Sequence, residues 1–168
     1  MSQQKEKILI ADDEEYIIEG LTALLQEEGY QVASARDGAE ALEILTKDDF
    51  ALILADLKMP QLDGLQLLAE MKNRGILTEV IIITGKGTIA TAVEAMKAGA
   101  YDYLTKPVEP ERLKSIIPKV LEHHRLVISH RRLEQEVKHL TRYEELIGQS
   151  SQMLDIYRMI DAVADTTA

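Results

Sequence analysis

The chain has 168 residues, of which 29 are acidic and 19 basic, giving a formal net charge of −10. This length allows one domain with an appendage, and the acidic balance argues against direct contact with nucleic acid, which needs clustered Lys and Arg. The absence of cysteine excludes disulfides, thiolate metal sites and cysteine nucleophiles. Because the sequence shows neither a membrane-spanning apolar run nor a secretory signal, we expect a cytoplasmic protein without membrane contact.

The first part of the chain alternates between strand and helix patterns. Lys7–Ala11 is apolar at almost every position, which is typical of a strand covered on both faces. Glu14–Glu28 has helical spacing of apolar residues and is followed by Gly29, a helix-stop signal. Gln31–Ala35 alternates as an edge strand does, and Gly38–Lys47 again has helical spacing.

The same alternation continues toward the end of the first 121 residues. Ala51–Ala55 and Val80–Thr84 are predicted to be central strands, and Tyr101–Leu104 a fifth strand. Leu62–Arg74 and Thr88–Lys97 are predicted to be the helices between them. Five strands that alternate with helices imply βαβ units, and therefore a doubly wound α/β fold with helices on both faces of a parallel sheet.

A last helix is predicted to start near Pro110, with Pro118 inside it as the position of a kink or local break. Beyond Pro118, apolar residues and one histidine follow alternating spacings of four and three, at Leu126, His130, Leu133, Val137 and Leu140. This pattern favours a short coiled coil between two chains, since residues 122–145 carry five charged residues of each sign. The alternative is a single amphipathic helix that lies back on the domain.

Polar residues follow four of the predicted strands. Asp12 and Asp13 follow the first strand, Asp56 the third and Lys106 the fifth, while Thr84 closes the fourth. In an open parallel sheet, sites form at the carboxyl ends of the strands. Carboxylates that meet there repel one another and need a cation, and hard oxygen ligands suit Mg²⁺. An Asp carboxylate can also act as a nucleophile and form an aspartyl phosphate. Taken singly, each acidic residue could instead be a helix cap or an ordinary loop residue.

The combination of these motifs resembles the receiver domain of two-component response regulators. The resemblance covers residues 5 to about 121 and rests on Asp12-Asp13, Asp56-Leu57-Lys58-Met59-Pro60 with Asp63-Gly64, Thr84-Gly85 and Lys106-Pro107. It implies a flavodoxin-like sheet with strand order 2-1-3-4-5. It also implies that Asp56 accepts a phosphoryl group from a sensor histidine kinase.

The resemblance assigns a role to each residue of the set. Asp12, Asp13, Asp56 and the backbone carbonyl of Lys58 are expected to bind Mg²⁺. Lys106 is expected to contact the phosphoryl group, and Thr84 to be the switch hydroxyl. Tyr103 fits the switch aromatic that moves inward, with a half-buried edge-strand aromatic as the simpler interpretation, and Pro107 fits the cis proline after the lysine.

Two further segments resemble NtrC-type activators. The first is Thr84–Gly87 followed by Ala92–Leu104, and between these stretches Thr88 stands where that subgroup often has Asp. The second is the tail from Leu146 onward, which resembles the opening of the AAA+ ATPase domain and includes no Walker A motif. An extra amphipathic helix is the alternative for this tail. The implied organisation is a receiver domain at 1–121, a helical linker at 122–145 and the start of an AAA+ domain at 146–168.

These observations favour a phosphorylation-controlled receiver with a dimerising linker, cut from a sigma-54-dependent transcriptional activator. We expect homodimers through the linker, with the receiver face as a second candidate contact, and sigma-54 RNA polymerase and DNA reached only through further C-terminal domains. No enzymatic activity is expected beyond the receiver's own Mg²⁺-dependent phosphorylation and dephosphorylation. A stand-alone receiver that acts through protein contacts is the alternative. A Mg²⁺-dependent phosphohydrolase is less favoured, because no separate general acid or base is visible near Asp56.

Overall fold

The computed structural model describes the backbone of residues 6–149 and the side chains of residues 6–138. The side chain of Leu140 and tail residues 150–168 therefore lie outside the described residues. The chain divides into two compact units, Met1–Val127 and Ile128–Ala168. In the described part, no helix has the length and hydropathy needed to cross a membrane. The domain boundaries given above remain predictions.

Five strands alternate with five helices within the described residues. Their bounds are β1 Lys7–Ala11, α1 Glu15–Glu27, β2 Gln31–Ala35, α2 Gly38–Lys47, β3 Leu52–Asp56, α3 Gly64–Asn73, β4 Glu79–Thr84, α4 Ile89–Ala98, β5 Asp102–Thr105 and α5 Pro110–Gln149. The strands form one parallel sheet in the order β2-β1-β3-β4-β5. The doubly wound fold and its strand order are thus confirmed.

The sheet separates two apolar clusters, because successive side chains of a strand point to opposite faces. On one face, Leu9 and Ile53 pack with residues of α2, α3 and α4, such as Leu67. On the other face, Ile8 and Leu52 pack with residues of α1 and α5. The central strands β1, β3 and β4 are buried almost throughout, which explains why they are apolar on both sides.

Helices α3 and α4 begin at capping boxes. Leu62 was expected to start α3, but the helix begins at Gly64, because the Asp63 side chain accepts a hydrogen bond from the Gln66 amide. Gln66 accepts in turn from the Asp63 amide, which fixes the N-terminus of the helix. In α4 the N-cap is Thr88, so the residue that departs from the NtrC-type pattern still caps this helix.

Of the kink or local break predicted at Pro118, the break is wrong, since α5 continues through this residue, and the kink stays a prediction. Pro118 is exposed, whereas Leu113 and Ile117 are buried against the sheet. A proline removes one backbone hydrogen bond, and on the exposed side of a helix water can bond the carbonyl that is left. The buried contacts on the other side therefore hold the helix together.

Candidate functional site

The loops at the carboxyl edge of the sheet bring the predicted site residues together. Backbone hydrogen bonds continue the strand pairing past the strand ends, from the Lys106 amide to the Thr84 carbonyl at 2.7 Å and from the Leu57 amide to the Ile83 carbonyl at 2.9 Å. These bonds fix the ends of β3, β4 and β5 beside one another. Asp56 is the last residue of β3, and Thr84 is the last residue of β4.

Three carboxylates form an acidic cluster at this edge. Asp12, Asp13 and Asp56 each offer an oxygen, and these oxygens lie within 4.8 Å of one another. Asp12 and Asp56 are 2% and 7% exposed, whereas Asp13 is open to solvent. Such a set of hard oxygen donors, partly buried and open on one side, fits a divalent cation that keeps some of its waters.

Lys106 is the cation that faces this cluster. Its Nζ lies 2.7 Å from Asp12 Oδ2, 2.7 Å from Glu14 Oε1 and 3.4 Å from Asp56 Oδ2. Burial acts to lower the pKa of Lys106, but the hydrogen bonds to Asp12 and Glu14 outweigh it and raise the pKa. The ammonium group therefore stays protonated and available to an anion.

The cost of burying the Asp56 carboxylate is only partly compensated by its neighbours. Burial raises its pKa, and the negative charge of Asp12 adds to this effect, against the opposing influence of Lys106. The backbone amide of Lys58 donates a hydrogen bond to Asp56. The metal-binding role of the Lys58 carbonyl stays a prediction.

The side chains of Thr84 and Tyr103 both lie beside Gly87. The buried Thr84 hydroxyl accepts a hydrogen bond from the Lys86 amide at 3.2 Å. Tyr103 is half-buried, and its hydroxyl lies 2.8 Å from the Thr91 hydroxyl in α4. A Cβ at Gly87 would lie 2.9 Å from the Tyr103 hydroxyl and 3.1 Å from Thr84 Cγ2, so a larger residue here would require these side chains to shift. The peptide bond between Lys106 and Pro107 is cis, as the resemblance implies.

The predicted linker residues are exposed wherever their side chains are described. In the first unit, Leu126 is 64% exposed. In the second unit, Leu133 and Val137 are 57% and 61% exposed, and His130 Nδ1 lies 3.7 Å from Glu134 Oε1. Within the second unit, Leu133 and Val137 are thus apolar side chains exposed to solvent, and the coiled-coil pairing of the linker stays a prediction.

Glu14 is a site residue that the sequence reasoning missed. Its carboxylate binds Lys106 through Oε1 and accepts a hydrogen bond from the Tyr16 hydroxyl on Oε2 at 2.6 Å. The hydrogen bond from Lys106, followed by that from Tyr16, lowers the pKa of Glu14. The third acid of the run Asp12-Asp13-Glu14 was the available signal, but a run of acids does not tell which of them reaches a lysine 92 positions away.

The chain belongs to the response regulator receiver domain family, whose model matches residues 8–118. This finding confirms the family that the five motifs suggested. The regulatory relatives described next confirm the resemblance to the NtrC-type subgroup.

Two curated relatives are transcriptional or assimilation regulators. The alginate biosynthesis transcriptional regulatory protein AlgB of Pseudomonas aeruginosa is 37% identical over 137 residues, covering 82% of this chain and 30% of that protein. The nitrogen assimilation regulatory protein NtrX of Azorhizobium caulinodans is 38% identical over 163 residues, covering 96% of this chain and 35% of that protein. The chain therefore spans about a third of the length of these relatives.

A solved structure agrees with both the fold and the family. It is the beryllofluoride-activated NtrC4 receiver domain dimer, 38% identical, with a TM-score of 0.67 and coverage of 70% of this chain and 98% of that chain. The similarity extends over nearly the whole of that receiver domain.

Proposed function

We propose that this chain is a phosphorylation-controlled receiver in which Asp56 accepts a phosphoryl group from a sensor histidine kinase. The observation that carries the proposal is the position of Asp56, a buried carboxylate at the end of β3, beside an acidic pair and 3.4 Å from Lys106. Membership of the receiver family supports it.

Each site residue has a separate role in the proposed phosphoryl transfer. Asp12, Asp13 and Asp56, with the carbonyl of Lys58, would hold Mg²⁺, which when bound neutralises charge on the phosphoryl oxygens. An oxygen of Asp56 forms the new bond to phosphorus while the bond from phosphorus to the histidine nitrogen breaks, and that nitrogen takes up a proton. Lys106 pairs with a phosphoryl oxygen in the product. Catalysis by this chain is limited to its own phosphorylation and dephosphorylation.

The signal passes from Asp56 to α4 through two side chains. A phosphoryl group adds up to about two negative charges, and the Thr84 hydroxyl can leave the Lys86 amide to donate to it. This movement of Thr84 would leave space for the ring of Tyr103. The Tyr103 hydroxyl would then give up its hydrogen bond with the Thr91 hydroxyl. The face that changes is formed by α4, β5 and α5, where Ile89 is 86% exposed.

The receiver is proposed to be the N-terminal regulatory part of a cytoplasmic, sigma-54-dependent transcriptional activator. The span of about a third of AlgB and NtrX supports a longer parent protein. Two chains would pair through the linker as a coiled coil, with the receiver face as a second candidate contact. Sigma-54 RNA polymerase and DNA would be contacted by domains beyond this sequence.

The acceptor is tested by labelling with a small phosphodonor and Mg²⁺, followed by intact-mass measurement. Asp56→Asn keeps the size and polarity of the side chain but removes the nucleophile, so labelling should disappear. Asp63→Asn is the matched control, since it makes the same change at a half-buried N-cap outside the acidic cluster, where Asn also caps a helix. Labelling of Asp56→Asn at the rate of the parent, or an unlabelled parent, would contradict the assignment.

A further inference from the structure

Among the described residues, three carboxylates contact Lys106, and two of them have a role in the proposed phosphoryl transfer. Asp12 is a member of the acidic cluster, and Asp56 is the acceptor. Glu14 lies outside the acidic cluster, yet its Oε1 is as close to Lys106 Nζ as Asp12 is, at 2.7 Å. When Asp12 binds a cation and Asp56 a phosphoryl group, Glu14 is the carboxylate left to Lys106.

The side chain of Glu14 is not used to cap its helix. Glu14 is the N-cap residue of α1, but its carboxylate accepts no capping hydrogen bond from the first turn. Both of its oxygens are instead taken by side chains, Oε1 by Lys106 and Oε2 by the Tyr16 hydroxyl. The orientation of this carboxylate is therefore explained by Lys106, and Tyr16 supports it from the other side.

We propose that Glu14 is a positioning residue that restrains Lys106 and competes with the phosphoryl group for its ammonium. The inference rests on the proposed phosphorylation of Asp56. Lys106 Nζ lies 2.7 Å from Glu14 Oε1 and 3.4 Å from Asp56 Oδ2. To bind a phosphoryl group on Asp56, the ammonium group therefore has to weaken its contact with Glu14. Glu14 stabilises the unphosphorylated site and thereby slows phosphoryl uptake.

Removal of the Glu14 charge should release Lys106. In Glu14→Gln we expect phosphorylation by a small phosphodonor to accelerate about two- to fivefold, the range of a partly exposed ion pair. The affinity for beryllofluoride with Mg²⁺ should rise by a similar factor. Hydrolysis of the aspartyl phosphate should change less, because Lys106 already contacts the phosphoryl group before hydrolysis begins. Tyr16→Phe should act in the same direction with a smaller effect.

Two controls separate this role from a general effect of charge. Glu15→Gln removes the same charge one residue further on, where the side chain is exposed and pairs with Arg36 at 3.1 Å. It should leave the phosphorylation rate unchanged. In a Lys106→Ala background, Glu14→Gln should give no acceleration, since the residue through which it acts is gone. A structural readout is the ¹⁵N signal of the Lys106 ammonium, which should shift in Glu14→Gln and not in Glu15→Gln.

The outcomes distinguish this inference from the function on which it depends. Acceleration confined to Glu14→Gln and dependent on Lys106 supports the positioning role. A labelled parent with unchanged rates in Glu14→Gln, or equal acceleration with and without Lys106, overturns the positioning role and leaves Asp56 as the acceptor. A parent that takes up no phosphoryl group overturns both.

Discussion

The negative charge of Asp56 opposes folding when no divalent cation lies beside it. Burial raises the pKa of this carboxyl group, so the folded state binds its proton more tightly than the unfolded state does. Stability from this group is therefore fully present below its ordinary pKa and is lost as the pH rises from there through the raised pKa. We expect Asp56→Asn to melt at a higher temperature than the parent at pH 7 in a metal chelator.

The same measurement at low pH provides the control for this effect. Once Asp56 is protonated, the difference in melting temperature between the parent and Asp56→Asn should become small. A difference that stays constant or grows as the pH falls would show that the charge of Asp56 is not its cause.

Asp12 and Asp13 are neighbours in sequence, but Asp12 is buried and Asp13 is exposed, so their contributions to stability should differ. Asp13→Ala removes an exposed carboxylate and should change the free energy of unfolding by less than about 0.5 kcal/mol without metal. It should nevertheless weaken Mg²⁺ binding, since it removes one oxygen donor.

Asp12 is buried, accepts a hydrogen bond from the Glu14 amide at 2.9 Å and pairs with Lys106. Asp12→Ala should therefore cost about 1–3 kcal/mol.

Chemical denaturation and titration calorimetry check this pair of variants. Equal destabilisation by Asp12→Ala and Asp13→Ala would contradict the difference in burial. Unchanged Mg²⁺ affinity in Asp13→Ala would remove that residue from the metal site.

At the scale of elements, the central strands were readable from the sequence and some boundaries were not. Runs such as Ile8-Leu9-Ile10-Ala11 are apolar on both faces because helices cover both faces of the sheet. The proximity of Asp12, Asp56 and Lys106 was predictable from their positions at strand ends together with the family resemblance. Local patterns alone did not give the continuity of α5 through Pro118, which depends on which side of the helix is buried.

Side-chain direction is what the sequence left undetermined at the site. Spacing predicts which residues follow a strand, but not which carboxylate a distant lysine selects. The pairing of Lys106 with Glu14 and the bond between Tyr103 and Thr91 each join separate elements across loops. Their detection required coordinates.

The link from β4 to α4 predicts that phosphorylation and transmission can be separated. Thr84→Ala lacks the buried hydroxyl, so it should still be labelled at Asp56 but fail to draw Tyr103 away from Thr91. Thr84→Ser keeps the hydroxyl and should transmit as the parent does. Sedimentation with and without beryllofluoride and Mg²⁺ measures the change in association. An equal shift in Thr84→Ala and the parent would contradict the role of the hydroxyl.

At the scale of the whole molecule, association of two chains is predicted from the linker. Within the second unit, Leu133 and Val137 are more than half exposed although both are apolar, and exposed Arg and Glu residues lie around them. Burial of such a stripe against a second copy would remove apolar surface from water. In the predicted two-stranded coiled coil, the alternating spacing of four and three would place these residues on one seam.

Substitution on and off the seam tests this pairing. Leu133→Asp combined with Val137→Asp places two charges on the predicted seam, so the chain should become monomeric at micromolar concentration while Asp56 is still labelled. Ile128→Asp combined with Gln135→Asp adds the same charge at positions outside the seam and should leave a dimer. Sedimentation equilibrium measures both. A monomeric parent would refute the linker role. A seam variant that stays dimeric would place the contact elsewhere, and the face formed by α4, β5 and α5 would then be the surface to mutate, beginning with Ile89, which is 86% exposed.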